Sequence, residues 1–349
     1  MTGDLETLFG IDAPIVLGPF GGMSSIPLTA SISEAGGLGS FGLYGYPGER
    51  IRETAAALRA ATGRPFALNL WLPTGDEVEP GDTDLARARA AIAPLLGAAG
   101  VAPPPLPESF LPPLDEQLDA VWDAAPAALS VVFGVPAAET VAEAHRRGIR
   151  VVGTATSVAE AVALAAGGVD AIVASGAEAA GHRVSFLRRA EESLVGTVAL
   201  VPQVVDAVDV PVIAAGGIAD RRGVAAAFAL GAAGVQVGSA FLRTRQSAAS
   251  EAHRTALRAA ADTDTVLTRA MSGRLARGIP NRAVRAIEEA DAVAPFPAQN
   301  WLTAVFRAAA PNDADLISMW AGQAAGLSRS EDAEEVFAEL AAGIPARPH

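Results

Sequence analysis

The chain has 349 residues, of which 50% are hydrophobic and 19% charged, a composition that favours one globular fold and excludes a disordered protein. The net charge of −13 repels phosphates and anionic lipids, and neither a spanning apolar run nor a signal peptide is evident, so we expect a cytoplasmic protein that binds neither nucleic acid nor membrane. The absence of both cysteine and lysine excludes thiolate nucleophiles, iron–sulfur clusters, Schiff-base catalysis and P-loop lysines.

Short β-branched runs alternate along the chain with Ala-rich stretches of helical periodicity, which predicts a parallel α/β fold. Eight such runs occur: PIVLG from Pro14, GLGSF from Gly37, PFALNLW from Pro65, ALSVVF from Ala128, IRVVGT from Ile149, VDAIVAS from Val169, PVIAAGG from Pro211 and GVQVGS from Gly234. Eight strands predict a (β/α)8 TIM barrel, a fold that needs about 250 residues and leaves about 100 for additions.

One helix between the fifth and sixth strands carries boundary signals of its own. Ser157 followed by Glu160 predicts a capping box at its start. The pair Gly167 and Gly168 predicts a left-handed end. The segment is therefore expected to form a complete βαβ unit.

Two regions exceed the barrel minimum. The prolines of VAPPPLPESFLPP, between the third and fourth strands, predict a long excursion, which we expect to cover the mouth of the active site. The tail after Leu242 alternates helical segments with breaks and predicts an added helical lobe after strand eight. We therefore predict a barrel over residues 1–242, a helical lobe over 243–312, and C-terminal helices over 313–349 that pack back on the barrel.

The loops after strands seven and eight are candidates for binding a phosphate, as these loops often do in such barrels. Gly216 and Gly217 remove side chains where a phosphate must approach backbone amides, and Gly238 and Ser239 offer an amide and a hydroxyl next to them. A single glycine pair more often closes an ordinary turn. Two adjacent loops with this chemistry favour a phosphate-binding site.

His182 follows strand six in the sequence ASGAEAAGHRVSF and is the candidate general base. An imidazole suits proton abstraction because both of its protonation states are available near neutral pH. A loop histidine is often a bystander, but His145 and His253 lie in helical stretches and His349 ends the chain. Only His182 lies at a strand end on the catalytic face.

Two further residues have alternative interpretations. Asn69, within ALNLW, is either an amide facing a planar heterocycle or a buried amide satisfied by the protein. Met23, after GPFGG, either contacts a bound ring or fills a gap in the core.

The order and spacing of several motifs resemble the bacterial nitronate monooxygenase family, formerly called 2-nitropropane dioxygenases. The resemblance spans almost the whole chain and is carried by GPFGGM, ALNLW, SGAEAAGH, AAGGIAD, QVGSAF, PFPAQNWLTA and MWAGQAAG. It implies an enzyme that binds FMN noncovalently, with no metal and no obligatory nicotinamide. Its small-molecule substrate would be a nitronate or nitroalkane, oxidised with O2 to a carbonyl compound and nitrite.

The resemblance also assigns site residues. His182 would take the α-proton of a neutral nitroalkane, whereas nitronates arrive already deprotonated. Met23 and Asn69 would lie against the flavin ring, and Gly217 would hold its phosphate. The full set expected to contact the cofactor is Met23, Asn69, Ser175, Ala180, Gly181, Gly216, Gly217, Gln236, Val237, Gly238 and Ser239.

The chain departs from the family's Q-G-x-E-A-G-G-H loop at two positions. Ser175 replaces the usual Gln and has a shorter reach, and Ala180 replaces a Gly and requires a backbone that avoids positive φ. Two alternatives therefore stay open. One is a flavin-dependent enoyl-thioester reductase that consumes NAD(P)H, and the other is a flavin-holding subunit of a biosynthetic assembly without turnover of its own. A homodimer is also left open.

Overall fold

Parallel strands that coincide with the eight predicted runs form the centre of the molecule, in a computed structural model that describes residues 4–346. Three further short strands lie outside the barrel. In chain order the strands are β1 (Ile15–Leu17), β2 (Gly39–Gly42), β3 (Phe66–Trp71), β4 (Ala128–Val132), β5 (Arg150–Ala155), β6 (Ala171–Ser175), β7 (Gly181–His182), β8 (Val212–Ala215), β9 (Gly234–Val237), β10 (Val266–Thr268) and β11 (Ala276–Gly278).

Helices follow the barrel strands and continue into the tail. They are α1 (Leu5–Phe9), α2 (Ile26–Glu34), α3 (Gly48–Ala61), α4 (Ala86–Ala99), α5 (Leu114–Ala124), α6 (Ala138–Arg146), α7 (Val158–Ala166), α8 (Thr197–Ala207), α9 (Arg221–Ala229), α10 (Ser239–Leu242), α11 (Glu251–Ala259), α12 (Arg282–Glu289), α13 (Ala298–Ala309) and α14 (Ala333–Ala341), with 3-10 turns at Ala190–Glu192 and Ala325–Leu327. Among residues 4–346, no helix combines the length and the apolar character needed to cross a membrane.

The eight strands close into a barrel. Their order is β1-β9-β8-β6-β5-β4-β3-β2, every pairing is parallel, and a bridge between Val16 and Leu38 joins the two ends of the sheet. The strands are buried almost throughout because helices cover the outer face and side chains fill the interior. The predicted (β/α)8 fold is therefore confirmed.

The amino-terminal end of the barrel is sealed by apolar packing. Leu5 and Phe9 of α1 belong to one buried cluster with residues at the beginnings of the strands, among them Val16, Ala128 and Ala171. This packing leaves the carboxyl ends of the strands as the open end, where barrel enzymes place their chemistry.

A second core lies beside the barrel. The excursion after β3 contributes α4, whose Ile92 and Leu96 pack with Ile287 of α12 and with Leu302 and Phe306 of α13. The predicted excursion and the predicted lobe thus share one hydrophobic cluster.

The lobe contains a hairpin that the sequence did not predict. Strands β10 and β11 pair antiparallel, and β11 pairs with the two-residue strand β7. Strands of two or three residues are too short to show a period in the sequence, and the pairing of His182 with Ala276 depends on a contact between distant parts of the chain. This small sheet fixes the backbone of His182.

Glu160 ties the loop after His182 to the barrel. Half of the predicted capping box forms, since the Ser157 hydroxyl accepts a hydrogen bond from the Glu160 N–H at 3.3 Å. The fully buried Glu160 carboxylate instead accepts from the N–H of Thr156 at 2.7 Å, and from the N–H groups of Phe186 at 2.7 Å and Leu187 at 3.2 Å. The helix ends as predicted, with Gly168 at a φ of 86°.

We expect Glu160→Ala to lower the free energy of unfolding by about 2–4 kcal/mol, because it leaves buried N–H groups without an acceptor. A urea titration of the variant and the parent protein measures this difference. Glu139, exposed in the first turn of α6, provides the control: Glu139→Ala should cost much less. Equal losses for both variants would show that Glu160 does not anchor the loop.

Candidate active site

A cavity of about 350 Å³ opens at the carboxyl ends of the strands. Its lining comes from the loops after β1, β2, β6, β8 and β9, from the last residues of β3, β4 and β5, and from the tail beyond α12. The predicted site residues in its wall are Met23, Asn69, Ser175, Ala180, Gly181, His182, Gly216, Gly217, Gln236, Gly238 and Ser239. The fold thus brings together residues that are up to 216 positions apart in the sequence.

Val237 is the one predicted site residue that does not line the cavity. Its side chain is only 1% exposed and belongs to the core, whereas its neighbours Gln236 and Gly238 line the cavity. Alternation of side chains along a strand explains the difference, because adjacent residues face opposite sides. Its carbonyl accepts a hydrogen bond from Gly18 at 2.8 Å, so Val237 supports the wall from behind.

The loops after β8 and β9 have the geometry of an anion-binding site. Gly216 and Gly217 have φ values of 101° and 72°, a left-handed conformation that favours glycine. Within residues 4–346, the N–H groups of Gly217 and Ser239 have no hydrogen-bond acceptor. The Ser239 hydroxyl accepts from the Gly322 N–H at 2.9 Å, which leaves its own proton free to donate. These donors fit a phosphate group.

The Asn69 amide group is satisfied by the protein, as one of its two predicted alternatives states. Its side chain is only 3% exposed, and its amide group donates to the Ser130 hydroxyl at 2.8 Å and to the Ser130 carbonyl at 3.2 Å. The residue nevertheless lines the cavity, and its Oδ1 has no donor among the described residues. Met23 is half-buried, lines the cavity and packs against the core, and its contact with a bound ring stays a prediction.

The His182 ring is held between a hydroxyl and two indoles. Its Nε2 lies 2.8 Å from the Ser272 hydroxyl oxygen. The Trp71 ring meets it edge to face at 4.8 Å between centroids, and the Trp320 ring lies at 5.4 Å. The imidazole therefore lines the cavity in a fixed orientation.

The contacts of Ser272 favour the tautomer of His182 that carries its proton on Nε2. The Ser272 hydroxyl donates its only proton to the Arg274 carbonyl at 3.1 Å and accepts from the Arg274 N–H at 3.3 Å. With that proton on the carbonyl, Nε2 of His182 is the donor in its bond to Ser272. Nδ1 then keeps its lone pair, has no partner within residues 4–346, and is the nitrogen able to accept a proton.

Burial lowers the pKa of His182 to about 3, and the positive charges of Arg274 and Arg307 act in the same direction. The imidazole is therefore neutral, and in the form of a base, throughout the range around pH 7. An anion bound between these cations and the ring would raise the pKa of His182 and make it a stronger base.

Several lining residues were not singled out from the sequence: Tyr44, Trp71, Asn300, Arg307, Trp320 and Gly322. Trp71 ends the third strand and Trp320 belongs to MWAGQAAG, so the strand-end rule and the motif would have found them. Tyr44 and Arg307 carried no such signal. The excursion over residues 72–113 contributes no residue to the lining, although its Asp76 and Glu77 pair with Arg274, so the expectation that it covers the mouth stays a prediction. Its apolar residues are used in packing against the lobe instead.

Comparison with known proteins identifies the family. The nitronate monooxygenase family profile matches residues 3–343. The chain belongs to the nitronate monooxygenase family. A probable nitronate monooxygenase of Staphylococcus aureus strain Newman is 36% identical over 340 residues, which covers 96% of this chain and 95% of that protein.

Solved structures extend the likeness to the fold of this family. A nitroalkane oxidase from Streptomyces ansochromogenes is similar with a TM-score of 0.85 and 33% identity, covering 97% of this chain and 96% of that one. FabK from Thermotoga maritima is similar with a TM-score of 0.75 and 28% identity, covering 97% and 95%. As a nitronate monooxygenase family member the chain is an oxidoreductase, and the family implies a flavin cofactor, a small-molecule substrate and O2.

The two departures from the family loop are accommodated differently. Ala180 has no positive φ, and the left-handed conformation falls on Gly181, with a φ of 72°. The replacement of glycine by alanine at position 180 is therefore free of backbone strain. Ser175 is buried at the end of β6, and its carbonyl accepts a hydrogen bond from Arg183 at 2.9 Å.

If His182 is the base for neutral nitroalkanes, as proposed below, Ser272→Ala should lower kcat/KM for such a substrate roughly tenfold, because His182 loses its hydrogen bond to Ser272 and with it the preference for an Nε2 proton. Ser272→Thr keeps the hydroxyl and should restore most of the rate. Steady-state kinetics with nitroethane at saturating O2 measure both variants. Equal activity of the alanine and threonine variants would exclude a role for the hydroxyl in orienting the ring.

Proposed function

We propose that this chain binds FMN and oxidises alkyl nitronates with O2 to a carbonyl compound and nitrite, and that it accepts neutral nitroalkanes after His182 has removed their α-proton. One observation carries the proposal: His182 lines the same cavity as Gly217 and Ser239. A phosphorylated flavin requires an anion-binding site, and a substrate with an acidic C–H requires a base. Both are present at the carboxyl end of this barrel.

The cavity residues divide into those suited to the phosphate and those suited to the ring. Gly216, Gly217, Gly238 and Ser239 would hold the phosphate through backbone amides and one hydroxyl. Met23 and Asn69 would lie against the ring system, where Oδ1 of Asn69 is free to accept a hydrogen bond. When bound, the flavin supplies the electron acceptor for the substrate.

His182 handles the proton in this proposal. Its Nδ1 accepts the α-proton of a neutral nitroalkane, and the resulting positive charge is shared with Ser272 through the hydrogen bond at Nε2. The Trp71 and Trp320 rings pack on the imidazole and hold its orientation. A preformed nitronate has no α-proton to lose, so its turnover depends on His182 much less.

Two measurements test this proposal. The flavin released by heating the purified protein should elute as FMN, and the protein should release nitrite and consume O2 when supplied with propyl-2-nitronate. NADPH-dependent reduction of an enoyl thioester without nitrite release would favour the reductase alternative, and FMN binding without either activity would favour the scaffold alternative. A protein that does not take up FMN would contradict all three.

The cytoplasmic location and the homodimer stay predictions. Cell fractionation checks the first, and light scattering after size exclusion checks the second. We expect the catalytic wall to come from one chain, since the residues named above all line the cavity of a single copy.

A further inference from the structure

Arg307 of α13 is a cation in the cavity wall without a carboxylate partner. Its guanidinium donates to the Ser318 hydroxyl at 3.1 Å, to the Asn300 carbonyl at 3.1 Å and to Asn300 Oδ1 at 2.7 Å, all of them neutral acceptors. Its Nε is buried and has no partner. Within residues 4–346, Arg307 forms no ion pair. An unpaired cation in a sheltered site is costly unless an anion joins it.

Other sheltered arginines of the chain have different surroundings. Arg274, close by, pairs with Asp76 at 2.8 Å and Glu77 at 2.6 Å. Arg183 also lacks a carboxylate, but its NH groups donate to three backbone carbonyls and it does not line the cavity. Arg307 is therefore distinguished by offering a positive charge to the cavity itself.

Tyr44 adds a second donor beside Arg307. Asn300 accepts from Arg307 through Oδ1 and donates through Nδ2 to the Tyr44 oxygen at 3.2 Å, so it fixes both groups. The Tyr44 hydroxyl thus accepts from Asn300 and keeps its own proton to donate. Burial raises the pKa of Tyr44 to about 12, which keeps that proton in place at neutral pH.

We propose that Arg307 and the Tyr44 hydroxyl together bind a planar oxyanion of the substrate. The inference rests on the proposed function, since a nitronate group is itself such an oxyanion. A carboxylate elsewhere in the substrate presents the same pair of oxygens to the guanidinium.

Binding of an unreactive oxyanion tests this site without any turnover. Acetate, titrated at constant ionic strength, should quench the fluorescence of Trp71 and Trp320 in the FMN-loaded protein. Arg307→Met should weaken acetate binding roughly 10- to 100-fold, and Arg307→Lys, which keeps the charge, should weaken it less. Arg282→Met removes an exposed arginine of the same lobe and should leave binding unchanged. Unchanged acetate binding in a folded Arg307→Met protein would overturn the proposal, and the lysine variant serves if the methionine variant does not fold.

Two substrates separate the sources of the oxyanion. If Arg307→Met lowers kcat/KM equally for propyl-2-nitronate and propionate 3-nitronate, Arg307 binds the nitronate group. If the loss is confined to propionate 3-nitronate, Arg307 binds the carboxylate, and both results support the site. No loss with either substrate would contradict it. Acetate binding that depends on Arg307 in a protein without nitronate turnover would leave the oxyanion site standing and refute the proposed function.

Discussion

His182→Asn is expected to lower kcat/KM for neutral nitroalkanes roughly 10²- to 10⁴-fold, and to lower it far less for the corresponding nitronates. The asparagine amide is polar but has no basic nitrogen. It cannot take the proton that Nδ1 of His182, which has no partner among the described residues, would accept. The difference arises because only the neutral substrate has an α-proton to lose.

Steady-state kinetics with nitroethane and ethyl nitronate, each at saturating O2, measure this difference. The control is His145→Asn, since His145 lies on the outer helix α6 and is paired with Asp170 at 2.9 Å. It should leave both rates unchanged. Equal losses for the two substrates in His182→Asn would remove His182 from the role of base.

Gly217→Val is expected to weaken FMN binding roughly 10- to 100-fold while the protein stays folded. A Cβ at position 217 meets nothing closer than the Glu178 Cβ at 3.7 Å, so the valine fits sterically but extends into the space that the proposed phosphate occupies. The left-handed φ of 72° adds strain of about 1–2 kcal/mol to the backbone.

Gly148→Val is the control that separates backbone strain from the loss of phosphate binding. Gly148 has a φ of 74° and nothing within 4 Å of a Cβ, and it lies in the turn before β5, away from the cavity. Both variants should lose similar stability in urea, and only Gly217→Val should lose FMN in a fluorescence titration. Normal FMN affinity in Gly217→Val would place the phosphate elsewhere.

The barrel was predictable because its signals are local. The run PVIAAGG combines β-branched residues with a terminal glycine pair. Its strand ends at Ala215, and the two glycines follow at the catalytic face. Once eight runs indicated a barrel, the rule on strand ends pointed to His182, Gly217 and Ser239 without any coordinates. Of all the predicted site residues, only Val237 does not line the cavity, because strand alternation turns its side chain into the core.

The remaining features depend on contacts between distant parts of the chain. The hydrogen bond between His182 and Ser272 joins residues 90 positions apart, and the strand that contains His182 exists only through its pairing with β11. Arg307 lies in a helix, where an arginine is usually exposed, and only the packing of α13 beside the barrel turns it toward the cavity. Glu160 was predicted as a local cap and instead bonds to the loop at Phe186.

A crystal structure of the FMN-loaded protein tests the placement of the cofactor most directly. We expect density for the phosphate against the N–H groups of Gly217 and Ser239, with the ring system beside Asn69 and the His182 imidazole facing it. A phosphate bound at any other loop, or an imidazole turned away from the ring, would contradict this assignment of the active site.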